Sequence, residues 1–381
     1  MLKIKSYQKK DGQTYYKFHT YLGLDESGKV VRAGRQGFTT EKEARQVAMK
    51  LKSEFQEYGY QKPTYETFKE VFELWFESVY KRDVRESTAV KTKELFDNHI
   101  LKEFGHMRVS KITKVHCRVA INKWNKTLSK TKIMKNYCNR VFDFAIDDLD
   151  LIKTNPMERI KVPKFKKEKA QVDFYNKEEL KQFLECVNKE SDPKWSVIFR
   201  LLAFSGMRKG ELLGLQWKKV NFEDNTLTID QTLTRGENNT LIIQDTKTNA
   251  GNRVITMDSK TMAILKEWRT QQRLDFLKLG MNTNKPNQYV FTQYKDNGFI
   301  QHANITNAIN RIIKKHDLKK ITVHQLRHSH CSLLFESGAS IKEVQERLGH
   351  SSYEVTLNIY THVTEQKKDE AADRFAQHVG F

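Results

Sequence analysis

Six residues in the C-terminal half of this 381-residue chain could together open a phosphodiester without a metal ion. They are Arg208 in SGMRKGELLGL, Lys247 in DTKTNAGNR, His324 and Arg327 in HQLRHSH, His350 in LGHSS, and Tyr360 in the segment ending IYTHV. Attack on a phosphodiester builds negative charge on the non-bridging oxygens, and fixed cationic donors can stabilise it in place of a metal. Arg208 and Arg327 each present a fork of N–H donors and stay charged at physiological pH. Glu211, three residues after Arg208, falls on the same face of a predicted helix and is expected to hold that guanidinium. His324 and Arg327 share the same spacing, which places a proton acceptor beside a charge stabiliser. A phenol titrates near pH 10, so Tyr360 needs a base or a cationic field to attack at neutral pH, and His324 or the arginines could supply it. Lys247, in a predicted turn, suits the acid that protonates a leaving 5′ oxygen. His350 suits a hydrogen bond to the phosphate or help in proton transfer.

Taken singly these signals are weak, since an Arg-x-x-Glu pair is usually a surface pair and a tyrosine near a C-terminus is usually packing. Their order along the chain carries the reading. His324, His328, His330 and Cys331 have metal-like spacing, but Gln325 stands where a zinc protease motif needs glutamate, so neither a metal nor a cofactor is expected. The chain has no Gly-x-Ser-x-Gly elbow and no phosphate-binding loop of the Gly-x-x-x-x-Gly-Lys type.

The elements that must position these residues fall into three groups. Short strand-like runs, KIKSY, TYYKFHTYL and KVVRAGRQGF, precede a helix with a capping box at Thr40 and Glu43 and an apolar stripe of Ala44, Val47, Ala48, Leu51 and Phe55. From Thr67 the pattern turns helical, with a capping box to Glu70 and a stripe of Phe68, Val71, Phe72, Trp75, Phe76 and Val79. Further helices are predicted near Thr88 to Phe104, after Ser110, and over Thr131 to Asp147, where Ile133, Tyr137, Val141 and Phe144 form the expected stripe. Lys123, Lys126, Lys130, Lys132, Lys135 and Arg140 give this stretch six basic residues and no acid, with Trp124 and Tyr137 interleaved, and are candidate phosphate contacts. Asn155-Pro156 ends the bundle. The basic stretch IKVPKFKKEKAQ, with Lys164, Lys166 and Lys167, reads as a linker near backbone phosphates.

From Asp173 onward the chain reads as mixed α and β, mostly helical. TLTID, TLIIQDT and RVITM suggest one small antiparallel sheet with Lys247 in its last turn. Capping boxes at Thr322 with Gln325 and at Ser340 with Glu343 mark two helix starts, and Gly338 and Gly349 fit helix ends.

The 67 basic against 47 acidic residues leave a formal charge of +20, which favours a polyanionic partner. No run of about 18 apolar residues exists, and the polar start lacks a signal-peptide core, so a cytoplasmic protein without membrane contact is expected. The four cysteines are widely spaced with no CxxC pair, which fits reduced thiols.

SGMRKGELLGLQW, TKTNAGNR, HQLRHSH followed by LLFESG, LGHSS and IYTHV together resemble the tyrosine recombinase family, specifically the phage and conjugative-transposon integrases. Gln325 stands where many members have aspartate and Ser205 where many have threonine; the six positions matching catalytic residues are intact. The resemblance implies a multidomain α+β architecture. Residues 1–60 would be an arm-site DNA-binding domain with a three-stranded sheet and a helix, 63–160 a SAM-like helical core-binding domain, 161–172 a basic linker, and 173–381 a mainly α catalytic domain with a C-terminal tail helix. That helix, with Ala371, Ala372, Phe375 and Ala376 at helical spacing, is expected to dock on a neighbouring protomer. The resemblance further implies Tyr360 as the nucleophile of a 3′-phosphotyrosine intermediate and a Holliday junction, formed by a homotetramer on double-stranded DNA at core and arm attachment sites. An excisionase and a host DNA-bending protein would be further partners, and the bound protein would associate with the bacterial nucleoid. Other readings are a chromosome-dimer resolvase of the same family, a type IB topoisomerase, or a catalytically silent DNA-binding regulator.

Overall fold

A computed structural model describes residues 3–8, 13–24, 28, 30–58, 65–163, 173–246, 251–349 and Leu357. Backbone proximity divides the chain into two compact units: Met1–Arg85 with Lys91–Lys164, and Glu86–Val90 with Phe165–Phe381.

In the first unit, strands β1 (Lys3–Gln8), β2 (Thr14–Leu24) and β3 (Val30–Phe38) pair antiparallel in that order. Alternation along the strands sends Ile4, Tyr16 and Phe18 to one face, and helix α1 (Glu41–Tyr58) lays Ala44, Ala48 and Leu51 on it. Only half of the predicted box caps this helix. The Glu43 backbone N–H donates to Thr40 Oγ1 at 3.2 Å, while the Glu43 carboxylate accepts from the N–H and hydroxyl of Thr39 instead.

The helical part of this unit comprises α2 (Phe68–Trp75), the part of α3 (Glu86–Leu95) from Lys91 onward, α4 (Lys114–Thr127) and α5 (Thr131–Asp147). Thr67 and Glu70 form the full capping box that the sequence predicts. A π-helical turn, Phe76–Tyr80, follows α2, and a second, Phe96–Ile100, follows α3. Each wider turn rotates the residues beyond it. Tyr80 is therefore buried, and Val79, expected in the core stripe, is exposed. Phe72 stacks on Phe96 with ring centroids 3.9 Å apart, and Phe104 meets Trp124 edge-on at 5.9 Å. Trp124 is thus core rather than part of a basic face. The expected stripe of α5 needs correction too: Met134, Cys138, Val141, Phe142 and Ala145 are buried, while Ile133 is exposed. Both sets recur at helical spacing, and the slimmer, more adaptable Met and Cys fill the gaps among the phenylalanines. The hydroxyls of Tyr80, Thr92 and Tyr137 lie 2.9 to 3.0 Å from one another, which gives the buried Tyr80 and Thr92 oxygens partners.

In the second unit, α6 (Lys177–Val187) starts at an Asn176–Glu179 capping box and α7 (Pro193–Ser205) at Asp192 with proline in its first turn. Then come α8 (Lys209–Gly214), strands β4 (Val220–Asn221), β5 (Thr226–Ile229), β6 (Gln231–Arg235), β7 (Leu241–Asp245) and β8 (Arg253–Thr256), and helices α9 (Ser259–Lys278), α10 (His302–Lys315), α11 (Val323–Glu336) and α12 (Ile341–Leu348). The strands make two sheets, not the single one expected: β4-β5-β8, and a separate hairpin β6-β7. Asn238 and Asn239 take left-handed backbone angles in the turn after β6, so LIIQD folds back on QTLTR. RVIT pairs with TLTI instead. The core joins Phe199, Leu202, Leu212, Leu227, Ile255, Leu265, Phe291, Ile309 and Leu326. Among the described residues no helix is long and apolar enough to cross a membrane. The expected tail helix and most of the predicted linker lie outside the described residues.

Candidate active site

Arg208, Glu211, His324 and Arg327 come together in the second unit; Lys247, His350 and Tyr360 lie outside the described residues. Helix α7 ends at Gly206, whose φ of +65° is left-handed and where a Cβ would stand 2.5 Å from the His330 ring and 2.6 Å from Leu348. Glycine is required by both constraints. The chain then turns into α8 with Arg208 at the N-cap, extended at φ −74° and ψ 149°, and so not inside a helix as the spacing predicts. The expected pairing arises from cap geometry instead. Glu211 Oε2 accepts the Arg208 backbone N–H at 2.8 Å and Oε1 accepts Nη1 at 2.7 Å.

Helix α11 begins at the predicted Thr322–Gln325 capping box, with His324 in its first turn and Arg327 one turn on. The Arg327 side chain is 2% exposed, donating from Nη1 to the Gly206 carbonyl and from Nη2 to the Leu348 carbonyl, each at 2.7 Å. Arg208, 42% exposed, donates from Nη2 to the Gly349 carbonyl at 3.2 Å. Two arginines that sequence reasoning did not single out complete the set. Arg253 pairs with Glu211 Oε2 at 2.8 Å, and Arg347 donates to His330 Nε2 at 3.1 Å and to the carbonyls of Thr256 and Phe204. His330 Nδ1 donates to the Ala203 carbonyl at 2.8 Å, so both nitrogens of this metal-like histidine are engaged by protein. The signal for these residues was faint: Arg253 opens a strand-like run and His330 sits among serines on a helix.

Two guanidiniums, Arg208 and Arg253, thus share one buried carboxylate, and two more, Arg327 and Arg347, find only an imidazole and neutral carbonyls; several of the carbonyls in the set lie at the C-terminal end of α12. A buried charge imbalance of this sign favours an anionic ligand. Arg208, Lys209, His324 and Arg327 line an adjoining cleft of about 250 Å³ with Met207, Thr306, Thr322 and Val323. Lys209 Nζ donates to the His302 carbonyl and to Thr306 Oγ1, each at 3.0 Å.

Burial shifts these groups first and their charged neighbours second. Desolvation, then Arg327 and Arg208, lowers the His324 pKa, which favours a neutral ring at pH 7. Burial and then Arg208 bring Arg327 down to about 9, still protonated at neutral pH. Burial raises the Glu211 pKa, but Arg253 and Arg208 outweigh it and hold the carboxyl below its ordinary range. Burial, His324 and Arg327 pull His328 down to about 4, and its ring meets that of His324 edge-on at 4.9 Å.

The candidate phosphate contacts are spread over α4 and α5 in the first unit. Lys126, Lys130, Lys132 and Arg140 are exposed; Lys123, also exposed, pairs with Glu103, and Lys135 donates to the Glu158 carbonyl. The Tyr137 hydroxyl is engaged in the Tyr80–Thr92 cluster, and its ring packs against Tyr80 and Phe96. Lys164, Lys166 and Lys167 lie outside the described residues.

The sequence pattern of the phage integrase family matches residues 173–367, and that of the phage integrase N-terminal SAM-like domain matches residues 67–125. A tyrosine recombinase XerC-like protein of Caldanaerobacter subterraneus subsp. tengcongensis is 28% identical over 389 residues, covering 96% of each chain. The ICEBs1 integrase of Bacillus subtilis is 27% identical over 94% of this chain and 96% of its own. Among solved structures, the Tn1549 transposon integrase in complex with transposon right end DNA has the same fold, with a TM-score of 0.64 at 20% identity over 79% of this chain and 99% of its own. A family pattern spanning half the chain, over the segment that brings two arginines, a glutamate and a neutral histidine to one cationic cleft, places the chain in the phage integrase family, as a tyrosine recombinase of the phage and conjugative-transposon type.

Proposed function

We propose that this protein inserts a phage or mobile element into DNA by cutting and rejoining strands through Tyr360. The observation that carries the reading is the convergence of Arg208, Arg327 and a neutral His324 on one cleft with surplus positive charge. The scissile phosphate enters that cleft, and Arg208 and Arg327 hold its non-bridging oxygens as charge builds on them. The Tyr360 oxygen attacks phosphorus while its proton passes to a neutral imidazole, His324 or His350. The bond to the 5′ oxygen breaks, and Lys247 gives that oxygen a proton. The products are a 3′-phosphotyrosine and a free 5′ hydroxyl. Attack on the phosphotyrosine by the 5′ hydroxyl of a partner strand restores the diester, so one phosphoester bond replaces another and no ATP is consumed.

Residues 1–60 would bind arm sites and 63–160 the core site, with Lys123, Lys126, Lys130, Lys132, Lys135 and Arg140 near backbone phosphates. Residues 161–172, with Lys164, Lys166 and Lys167, would link them to the catalytic domain, 173–381. The net charge of +20 supports a duplex partner. Strand exchange between two duplexes calls for four copies and a Holliday junction; the solved lambda integrase tetramer bound to a Holliday junction supports this arrangement by analogy. Excisionase and host bending protein would set direction. The test is a nicked suicide DNA substrate that traps the covalent species. Wild-type protein should yield an adduct and Tyr360→Phe none; an undiminished adduct in the variant would overturn the assignment.

A further inference from the structure

Arg253, at the start of β8, bonds to three segments that neighbour proposed catalytic groups in the sequence. Its guanidinium donates in three directions: Nη2 to Glu211 Oε2 at 2.8 Å, Nε to the Arg347 carbonyl at 2.8 Å, and Nη1 to the Gly251 carbonyl at 3.1 Å. The first partner also binds Arg208, the second lies three residues before His350, and the third lies four residues after Lys247. Arg253 is 6% exposed and does not line the cleft, so it is not placed to touch a phosphate there.

We infer that Arg253 is a positioning residue that fixes Arg208, the end of α12 just before His350 in the sequence and Gly251 just after Lys247 in one mutual geometry. The inference rests on the strand-cutting reading above. Only a planar fork can fill the role, because the three acceptors lie in different directions around one buried point. A lysine presents its donors from a single nitrogen and cannot span all three acceptors as the fork does, so at least one contact is lost. With Arg253 in place, the Glu211 carboxylate accepts from the Arg208 N–H, Arg208 Nη1 and Arg253 Nη2, which fixes the direction in which Arg208 presents its remaining donors. A displacement of about 1 Å in such a group can cost on the order of 10²-fold in rate.

The experiment uses the full chain with R253K and R253A, measuring single-turnover cleavage of nicked DNA at saturating protein, the protein concentration for half-binding, and thermal unfolding. R253A should cleave on the order of 10²-fold more slowly with half-binding unchanged within a few-fold, and R253K should fall between it and wild type. Added guanidinium ion, below denaturing concentration, should restore part of the R253A rate by filling the vacated site, and should not help R253K, whose side chain occupies it. Wild-type rates in R253K would overturn the inference. So would losses accounted for by reduced folding or DNA affinity, or a folded R253A that guanidinium does not restore. Should R253A fail to fold, R253K alone decides by its rate at full DNA occupancy. Wild-type protein that forms no adduct would overturn the strand-cutting reading instead.

Discussion

The helical part of the first unit and the arginine-laced cleft of the second are both tightly packed, yet they are held by different forces. Around Phe72 the bundle is ring against ring, with Phe96 stacked at 3.9 Å and Phe76 tilted at 5.5 Å. Its stability scales with apolar area removed from water and has no preferred direction. Around Glu211 the contacts are charge-assisted hydrogen bonds from guanidiniums to one carboxylate and to backbone carbonyls. Each depends on angle, and the carbonyls come from the end of α7, the residues just before β8 and the end of α12. The bundle therefore tolerates shape-conserving exchange and loses stability with volume. The cleft tolerates little chemical exchange and loses function with geometry.

The largest expected effect tests the bundle. Phe72→Ala removes a fully buried ring and should cost about 3–5 kcal/mol of unfolding free energy, measured by denaturant titration. Phe72→Leu should recover most of it, and an equal loss in both variants would contradict packing as the dominant force. Next, Arg208→Ala should slow single-turnover cleavage by on the order of 10²-fold, as removal of an oxyanion donor does elsewhere, while half-binding of DNA shifts far less. Parallel losses in binding and cleavage would mean that Arg208 serves affinity rather than the transition state.

These contrasts also explain what the sequence could disclose. Helical periodicity made the α2 stripe legible, because burial repeats with the turn. It failed at Val79 and Ile133, where a π-turn or two competing apolar stripes decide which residue faces inward, and neither leaves a mark in spacing. Arg208, Glu211, His324 and Arg327 were legible from residue type and order. Arg253, Arg347 and His330 were not, because their roles rest on carbonyls from distant segments, and a carbonyl has no letter in the sequence. The same holds for the split into two sheets, set by left-handed Asn238 and Asn239 in a turn whose strands looked alike.

A smaller effect follows from His330, which burial first and Arg347 second push down to about 3. The unfolded chain binds a proton there below about pH 6.5 and the folded chain does not until about pH 3, so the stability contribution is complete above about 6.5 and is lost as pH falls between those values. At pH 5 the loss from this ring alone is about 2 kcal/mol. His330→Gln should be less stable than wild type at pH 7 and should lose about that much less between pH 7 and pH 5. Identical slopes in both proteins would remove His330 as the cause.

The central claim is that Tyr360 exchanges one phosphoester for another on DNA. Mass spectrometry of the trapped, protease-digested adduct tests it most directly by locating the nucleotide and the end it carries. The expected result is a single modified peptide containing Tyr360 joined through a 3′ phosphate, with a 5′ hydroxyl on the released strand. A nucleotide on a different tyrosine, or joined through a 5′ phosphate, would contradict the account.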